Sequence, residues 1–150
     1  MHYFERSIII KCHQEEAFLF HTDVKNLLKI SPKHLDISVK RCDPIGVGQE
    51  VHLIVKHFKL IPTEMHMKFV DFEYPSLLTD TQLKGPFKSM IQKRVFEDIG
   101  DGYTRMTDYF QYELPLGVLG LCAHVLFVES MIKSMFIFRQ NSTKKLLESN

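Results

Sequence analysis

The chain has 150 residues, 45% hydrophobic and 25% charged, with 19 basic against 18 acidic side chains and a formal net charge of +1. That is the balance of an ordinary globular chain of one-domain size, with enough apolar content for a core of its own. It excludes a disordered tail, a collagen-like fibre and a disulfide scaffold, and it lacks the cationic excess that nucleic acid demands.

The three cysteines, Cys12, Cys42 and Cys122, are an odd number without CxxC spacing, which predicts reduced thiols. The opening residues, Met-His-Tyr-Phe-Glu-Arg, lack the basic, apolar and small-residue regions of a secretory signal. The longest apolar stretch, Leu114 to Val128, is interrupted by Pro115, Gly117, Gly120 and His124. It is shorter than the ~20 residues of a membrane span. The expectation is a cytoplasmic protein with no membrane span.

Taken in order, Tyr3 to Lys11 alternates, with Phe4, Ile8 and Ile10 on one parity, and predicts a strand. Gln14 to His21 clusters Ala17, Phe18 and Phe20 at helical spacing. Thr22 or Asp23 caps a second short helix, Val24 to Ile30, which Ser31-Pro32 ends. The period then returns to two. Leu35, Ile37 and Val39 alternate, Asp43 to Gly48 turns, and Val51, Leu53 and Val55 alternate again. Lys59 to Pro62 breaks the run before Met65, Met67 and Phe69. Leu77 to Lys84, Ser89 to Asp98 and Tyr103 to Glu113 are further strands. They are separated by Gly85-Pro86 and by the hairpin signal Gly100-Asp101-Gly102. From Leu116 to Leu147 the spacing is helical, about 45 Å of helix at its rise per residue. Leu121, Val125, Val128, Ile132 and Met135 form its apolar stripe, with Glu129, Lys133 and Gln140 placed on the far side.

Strand, two short helices, six strands and one long helix predict a single α+β domain over residues 1–150. Short turns between successive strands imply an antiparallel meander, and only the long helix is big enough to cover its apolar face. A curved seven-stranded sheet wrapped around one helix leaves space between them, the natural place for a ligand.

This order resembles the START/Bet v 1-like superfamily, also called SRPBCC or helix-grip proteins. The carrying segments are Phe4 to Ile10, then Ala17-Phe18-Leu19-Phe20-His21, Asn26-Leu27 and Ser31-Pro32. Gly46-Val47-Gly48, Gly85-Pro86-Phe87 and Asp108-Tyr109-Phe110-Gln111-Tyr112-Glu113-Leu114-Pro115-Leu116-Gly117 follow. They are similar to the small bacterial branch described as ligand-binding or polyketide cyclase-like. The resemblance implies a helix-grip fold with a hydrophobic cavity. It does not imply a reaction, since members bind lipids, plant hormones or polyketides and only some are enzymes. The Trp-x-His-x-His-x-Phe pattern of that branch is absent. The corresponding positions are Met90, Gln92, Arg94 and Phe96, so no role of those histidines is carried over.

Strand parity supplies the candidate site. If the turn at Gly100 to Gly102 pairs Phe96 with Met106, then Arg94 faces Asp108, Gln92 faces Phe110 and Met90 faces Tyr112 on one face. Pairing across Gly85-Pro86 brings Asp80 beside Gln92, with Gln82 nearby. Asp80, Gln82, Gln92, Arg94 and Asp108 then form a polar band on the wall of an apolar pocket. Met65, Met67, Phe69, Phe110, Tyr112, Met131, Met135 and Phe138 supply the rest. In one reading Arg94 binds a carboxylate, phosphate or carbonyl of an amphipathic ligand. In the other, Arg94 and Asp108 satisfy each other, as buried charges must.

The remaining motifs carry less. Gly46-Val47-Gly48 lies between strands and reads as a turn, not a dinucleotide fingerprint. The eight histidines show no metal-ligand spacing, although His52 and His66 fall on adjacent strands, and His21 closes the first helix as a cap or packing group. Cys12 and His13 point to opposite faces, and there is no G-x-S-x-G elbow. No catalytic residue, metal or cofactor is assigned, and acid–base chemistry at Asp80 or Asp108 is the only chemistry the pocket suggests. Leu119 and Leu126 fall off the helix stripe. They cover the pocket entrance, make a peripheral membrane contact, form a homodimer patch, or pack under the short helices. The function expected is binding of a hydrophobic or amphipathic small molecule, lipid- or polyketide-like. The alternatives are an aromatase/cyclase-type enzyme and a protein-interaction module using the start of the long helix.

Overall fold

The computed structural model describes residues 1–57 and 61–149. Its elements are β1 (His2–Ile10), α1 (Gln14–Phe20), α2 (Val24–Ile30), β2 (Leu35–Cys42), β3 (Glu50–His57), β4 (Ile61–Glu73), β5 (Leu77–Lys84), β6 (Ser89–Gly100) and β7 (Tyr103–Glu113). The helical C-terminal part comprises α3 (Val118–Ala123), a π turn (His124–Val128) and α4 (Glu129–Glu148). The sequence break read at Lys59 to Pro62 lies outside the described residues up to position 60, and from Ile61 the chain is already strand.

Among the described residues the strands form one seven-stranded antiparallel sheet in the order β1-β7-β6-β5-β4-β3-β2. Six strands follow one another as a meander, and β1 closes onto the far end by pairing with β7. Register shifts at Val39/Arg41, His66/Met67, Phe69/Asp71 and Asp98/Gly100 interrupt the ladders. Each such irregularity adds local twist and bends the strand that carries it, which gives the sheet its curvature. The register between β6 and β7 is the one the hairpin signal predicts: Phe96 opposite Met106, Arg94 opposite Asp108, Gln92 opposite Phe110, Met90 opposite Tyr112. Asp80 likewise pairs with Gln92.

Asp23 caps α2 by accepting a hydrogen bond from the Lys25 amide at 2.9 Å, as a short acceptor at that position should. Seven residues cannot hold a helix alone. Burial holds α1, whose Ala17 and Phe18 are fully enclosed with Ile10, Leu78, Phe96, Met106 and Leu147. A second cluster, Met90, Phe110, Tyr112, Ile132 and Phe136, joins β6 and β7 to α4.

Two expectations for the long helix change. It begins at Val118, not Leu116, because Leu116 (φ 72°) and Gly117 (φ 53°) occupy the left-handed region, which a right-handed helix excludes. Its buried stripe runs Ile132, Phe136, Gln140, Thr143 and Leu147. Gln140, expected on the outer side, is only 1% exposed, while Leu121, expected inside, is 54% exposed. The side chain of Val125 lies outside the described residues. Buried polar partners across the sheet, described next, turn Gln140 inward.

Candidate functional site

A cavity of about 1060 Å³ lies between the sheet and the C-terminal helix. That is at the upper end of the ~300–1,000 Å³ typical of small-molecule sites. One wall is apolar: Val51, Leu53 and Val55 from β3, and Met65, Met67 and Phe69 from β4. The opposite side comes from α4, which contributes Met131, Met135, Phe138 and Arg139. Pro86 and Phe87 enter from the turn after β5. That turn is clamped by Gln82, whose Nε2 donates to the Phe87 carbonyl at 2.8 Å and whose Oε1 accepts from its amide at 3.3 Å. The clamp needs Gly85, because a Cβ there would collide with the Gln82 carboxamide. Leu116 and Leu119, 76% and 70% exposed, lie on the lining where the cavity meets the surface.

The polar end brings together His21, Asp80, Gln92, Arg94 and Arg139. Of the band read from the sequence, Asp80, Gln92 and Arg94 lie on the lining, and Gln82 and Asp108 do not. Among the apolar candidates, Met65, Met67, Phe69, Phe110, Met131, Met135 and Phe138 line the cavity. Tyr112 lies behind them, packed against Phe110 and Phe87 at ring separations of 5.3 and 5.6 Å.

Asp108 is enclosed because its acceptors already have partners. Arg94 Nε donates to Oδ1 at 2.7 Å and Gln140 Nε2 donates to Oδ2 at 2.8 Å. Gln140 in turn accepts from Arg6 Nε at 3.0 Å and donates to the Arg6 carbonyl at 3.0 Å. Asp108 sits on β7 between Arg6 on β1 and Arg94 on β6, so period-two geometry delivers all three to the inner face. Burial alone would raise the Asp108 carboxyl. The Arg94 guanidinium and the Gln140 amide outweigh it and hold the group below the ordinary range. The network is the mutual satisfaction anticipated for Arg94 and Asp108, extended to the helix through Gln140.

Asp80 behaves oppositely. Burial pushes its carboxyl up to about 6, against the attraction of Arg94 and Arg139. Burial and the nearby Arg94 charge push His21 down to about 3, so its ring is neutral. His21 Nδ1 meets the Ala17 carbonyl at 2.8 Å, and since the carbonyl only accepts, that nitrogen carries the hydrogen. Burial and the like charge of Arg94 lower Arg139 to about 10, which leaves it cationic at neutral pH.

Sequence reasoning passed over His21 as a wall residue and did not single out Arg139. The available signal was helical spacing, since Arg139 follows Met135 by four residues and therefore shares its face. Elsewhere, His52 and His66 do meet across β3 and β4, with rings stacked at 5.5 Å and carboxylates of Glu64 and Glu50 at 2.7 and 2.9 Å. Among the described residues no group of three or more His, Cys, Asp or Glu is arranged to hold a metal ion. Cys12 is buried and its thiol is pushed up to about 11, which makes it a poor nucleophile.

No protein-family model matches the sequence. Solved structures match over nearly the whole chain. A protein of Chromobacterium violaceum gives a TM-score of 0.79 at 11% identity, covering 99% of each chain. The aromatase/cyclase of Streptomyces sp. R1128 gives 0.76 at 14% identity, covering 98% of this chain and 93% of that one. The major latex-like protein of Panax ginseng gives 0.71 at 13% identity, covering 97% of each. The chain shares the helix-grip fold of these structures. At this identity the likeness concerns the fold. By sequence, UPF0397 proteins of Staphylococcus aureus strains are 30% identical over 88 residues, 59% of this chain and 48% of theirs, so the chain spans about half the length of the curated relatives it matches. Among the described residues no helix is long and apolar enough to cross a membrane.

Proposed function

We propose that this helix-grip protein binds a hydrophobic or amphipathic small molecule, lipid- or polyketide-like, in the cavity between sheet and helix. The observation that carries the reading is the shape and chemistry of that space: about 1060 Å³, apolar along β3 and β4 and polar at one end. Met65, Met67, Phe69, Phe110, Met131 and Met135 contact the apolar body of the ligand, and Asp80, Gln92 and Arg94 meet its polar end. Methionine suits the first role because its unbranched thioether adapts to irregular shapes. Leu116, Leu119 and Met131, exposed beside the opening, form the rim through which the ligand enters. The free thiols of Cys12, Cys42 and Cys122 fit a reducing, cytoplasmic setting.

The test is native mass spectrometry of the purified chain, followed by organic extraction, beside the variant Leu53→Trp, which places an indole in the void. The wild-type chain is expected to carry or take up an apolar molecule one-to-one, and the variant to fold but stay empty. A folded wild-type chain that takes up none of a panel of fatty acids, alcohols and polycyclic aromatics overturns the reading. A second reading, an aromatase/cyclase-type enzyme, is favoured by one observation: a half-buried carboxyl raised to about 6, in the range of an acid–base group, lines the same cavity as a neutral histidine. Turnover of a polyketide-like substrate that disappears in Asp80→Asn while binding persists would select it.

A further inference from the structure

Among the described residues Arg139 differs from the other half-buried arginines near the cavity. Arg94 has its carboxylate in Asp108, and Arg6 has Gln140. Arg139 lines the cavity, yet its Nε is buried with no hydrogen-bond partner, and among the described residues no carboxylate lies within ion-pair distance of its guanidinium. A guanidinium is never neutralised at physiological pH and is costly to enclose without an anion. Arg94 stands close enough to repel it, which makes the need for a counter-charge greater. Among the described residues the chain offers none in contact: both oxygens of Asp108 are already engaged, and Asp80, whose charge reaches Arg139, makes no ion pair with it.

We propose that Arg139 is the anion anchor of the cavity and that the occupant is an amphipathic monocarboxylate. Its carboxylate takes the guanidinium fork and its hydrophobic body lies along β3 and β4. This rests on the cavity being a ligand site. Charge decides in favour of one negative charge over two. The groups facing the anchor are His21 from the end of α1, Asp80 from β5, Arg94 from β6 and Asp108 from β7. His21 is neutral, and Arg94 and Asp108 cancel. Arg139 is left with one positive charge and Asp80 with one exchangeable proton. A monoanion balances Arg139 when Asp80 is protonated, so at neutral pH the ligand arrives together with one proton, taken up on the Asp80 carboxylate. The remaining charged lining residues, Asp23, Lys33 and Lys68, come from the α2 cap, the α2–β2 turn and β4. The fork geometry of guanidinium suits a planar carboxylate in two parallel hydrogen bonds.

Calorimetric titration of the full chain with dodecanoate, dodecan-1-ol and dodecyl phosphate tests this. Dodecanoate is expected to bind at least about tenfold more tightly than the alcohol. Arg139→Met is expected to remove that preference while leaving the alcohol's affinity in place, and Arg139→Lys to restore part of it. In buffers of different ionisation enthalpy, dodecanoate binding at pH 7 is expected to take up about one proton, and Asp80→Asn to abolish the uptake. The anchor is overturned if Arg139→Met binds dodecanoate as the wild type does, or if dodecyl phosphate binds more than about tenfold tighter than dodecanoate. Unchanged proton uptake in Asp80→Asn overturns the charge balance. Should Arg139→Met not fold, the wild-type ligand series and the proton count still decide. If folded wild-type chain binds none of the three, the cavity reading itself falls, an outcome distinct from loss of the carboxylate preference alone.

Discussion

The two halves of the sheet are built from the same kind of strand and meet opposite fates. In β1, β6 and β7 the inward residues Ile10, Phe96 and Met106, none of which lines the cavity, pack directly with Phe18 and Leu147. In β3 and β4 the inward residues Val51, Leu53, Val55, Met65 and Met67 share the same alternation but face the cavity. Burial does not separate the two sets, since Leu53 is 4% exposed and Met106 1%. What separates them is the course of the last helix. It packs against β1 and α2, so one half of the sheet is filled by a rod and the other is roofed at a distance. An apolar strand face therefore announces an interior without saying whether that interior is solid.

Phe136→Ala breaks the comparison on the filled side. Phe136 is fully enclosed against Phe4 and Phe110 at ring separations of 5.2 and 5.1 Å. Its removal loses transfer energy and opens a new hole in close-packed surroundings, an expected loss of about 3–5 kcal/mol. Urea denaturation at constant slope measures it, and a loss below about 1 kcal/mol would mean that this half is not solid either.

Much of this contrast was legible in the sequence and part was not. The register of β6 and β7 followed from alternation and one glycine-flanked turn, because a one-residue slip would have exposed Phe96, Met106 and Phe110 together. The partnership of Arg94 with Asp108 followed from the same parity. Gln140 was not legible. A glutamine on an amphipathic helix ordinarily belongs outside, and only the coincidence of Asp108 and Arg6 on two strands far away in sequence draws it in. Arg139 escaped for the same reason, since the cost of its burial becomes visible only once the cavity around it is. The hollow depends on how far the helix stands from β3 and β4, and local pattern carries no information on that distance.

The polar end of the cavity gives a second, intermediate effect, in which two groups oppose each other. Folding lowers His21 from 6.5 to about 3, so in that interval the unfolded chain holds a proton that the folded chain lacks, and stability rises with pH. Folding raises Asp80 from 3.8 to about 6, so there the folded chain holds the extra proton and stability falls with pH. Between about pH 4.5 and 6 the two slopes cancel, each being about 1.4 kcal/mol per pH unit. Asp108, lowered on folding, adds its loss only below that window. The wild-type profile is therefore expected to be flat there. Asp80→Asn should leave a rising slope and His21→Gln a falling one, each accumulating about 2 kcal/mol across the window. Chemical denaturation at three pH values reads all three slopes, and parallel profiles for the two variants would show that the groups are not buried as described.

The smallest effect is expected on the hollow side. Met65 is half-buried and lines the void, so shortening it enlarges a space that already exists instead of opening a new one. The cavity-dependent part of the usual penalty is largely absent, and Met65→Ala is expected to lose only about 1 kcal/mol, well under the Phe136→Ala value. The same change lengthens the apolar wall available to a ligand. In the dodecanoate titration a longer acid should then gain affinity relative to a shorter one, while the carboxylate preference set by Arg139 stays as it was. A loss for Met65→Ala as large as that for Phe136→Ala would mean that β4 is packed as tightly as β7, and the difference between the two halves of the sheet would vanish.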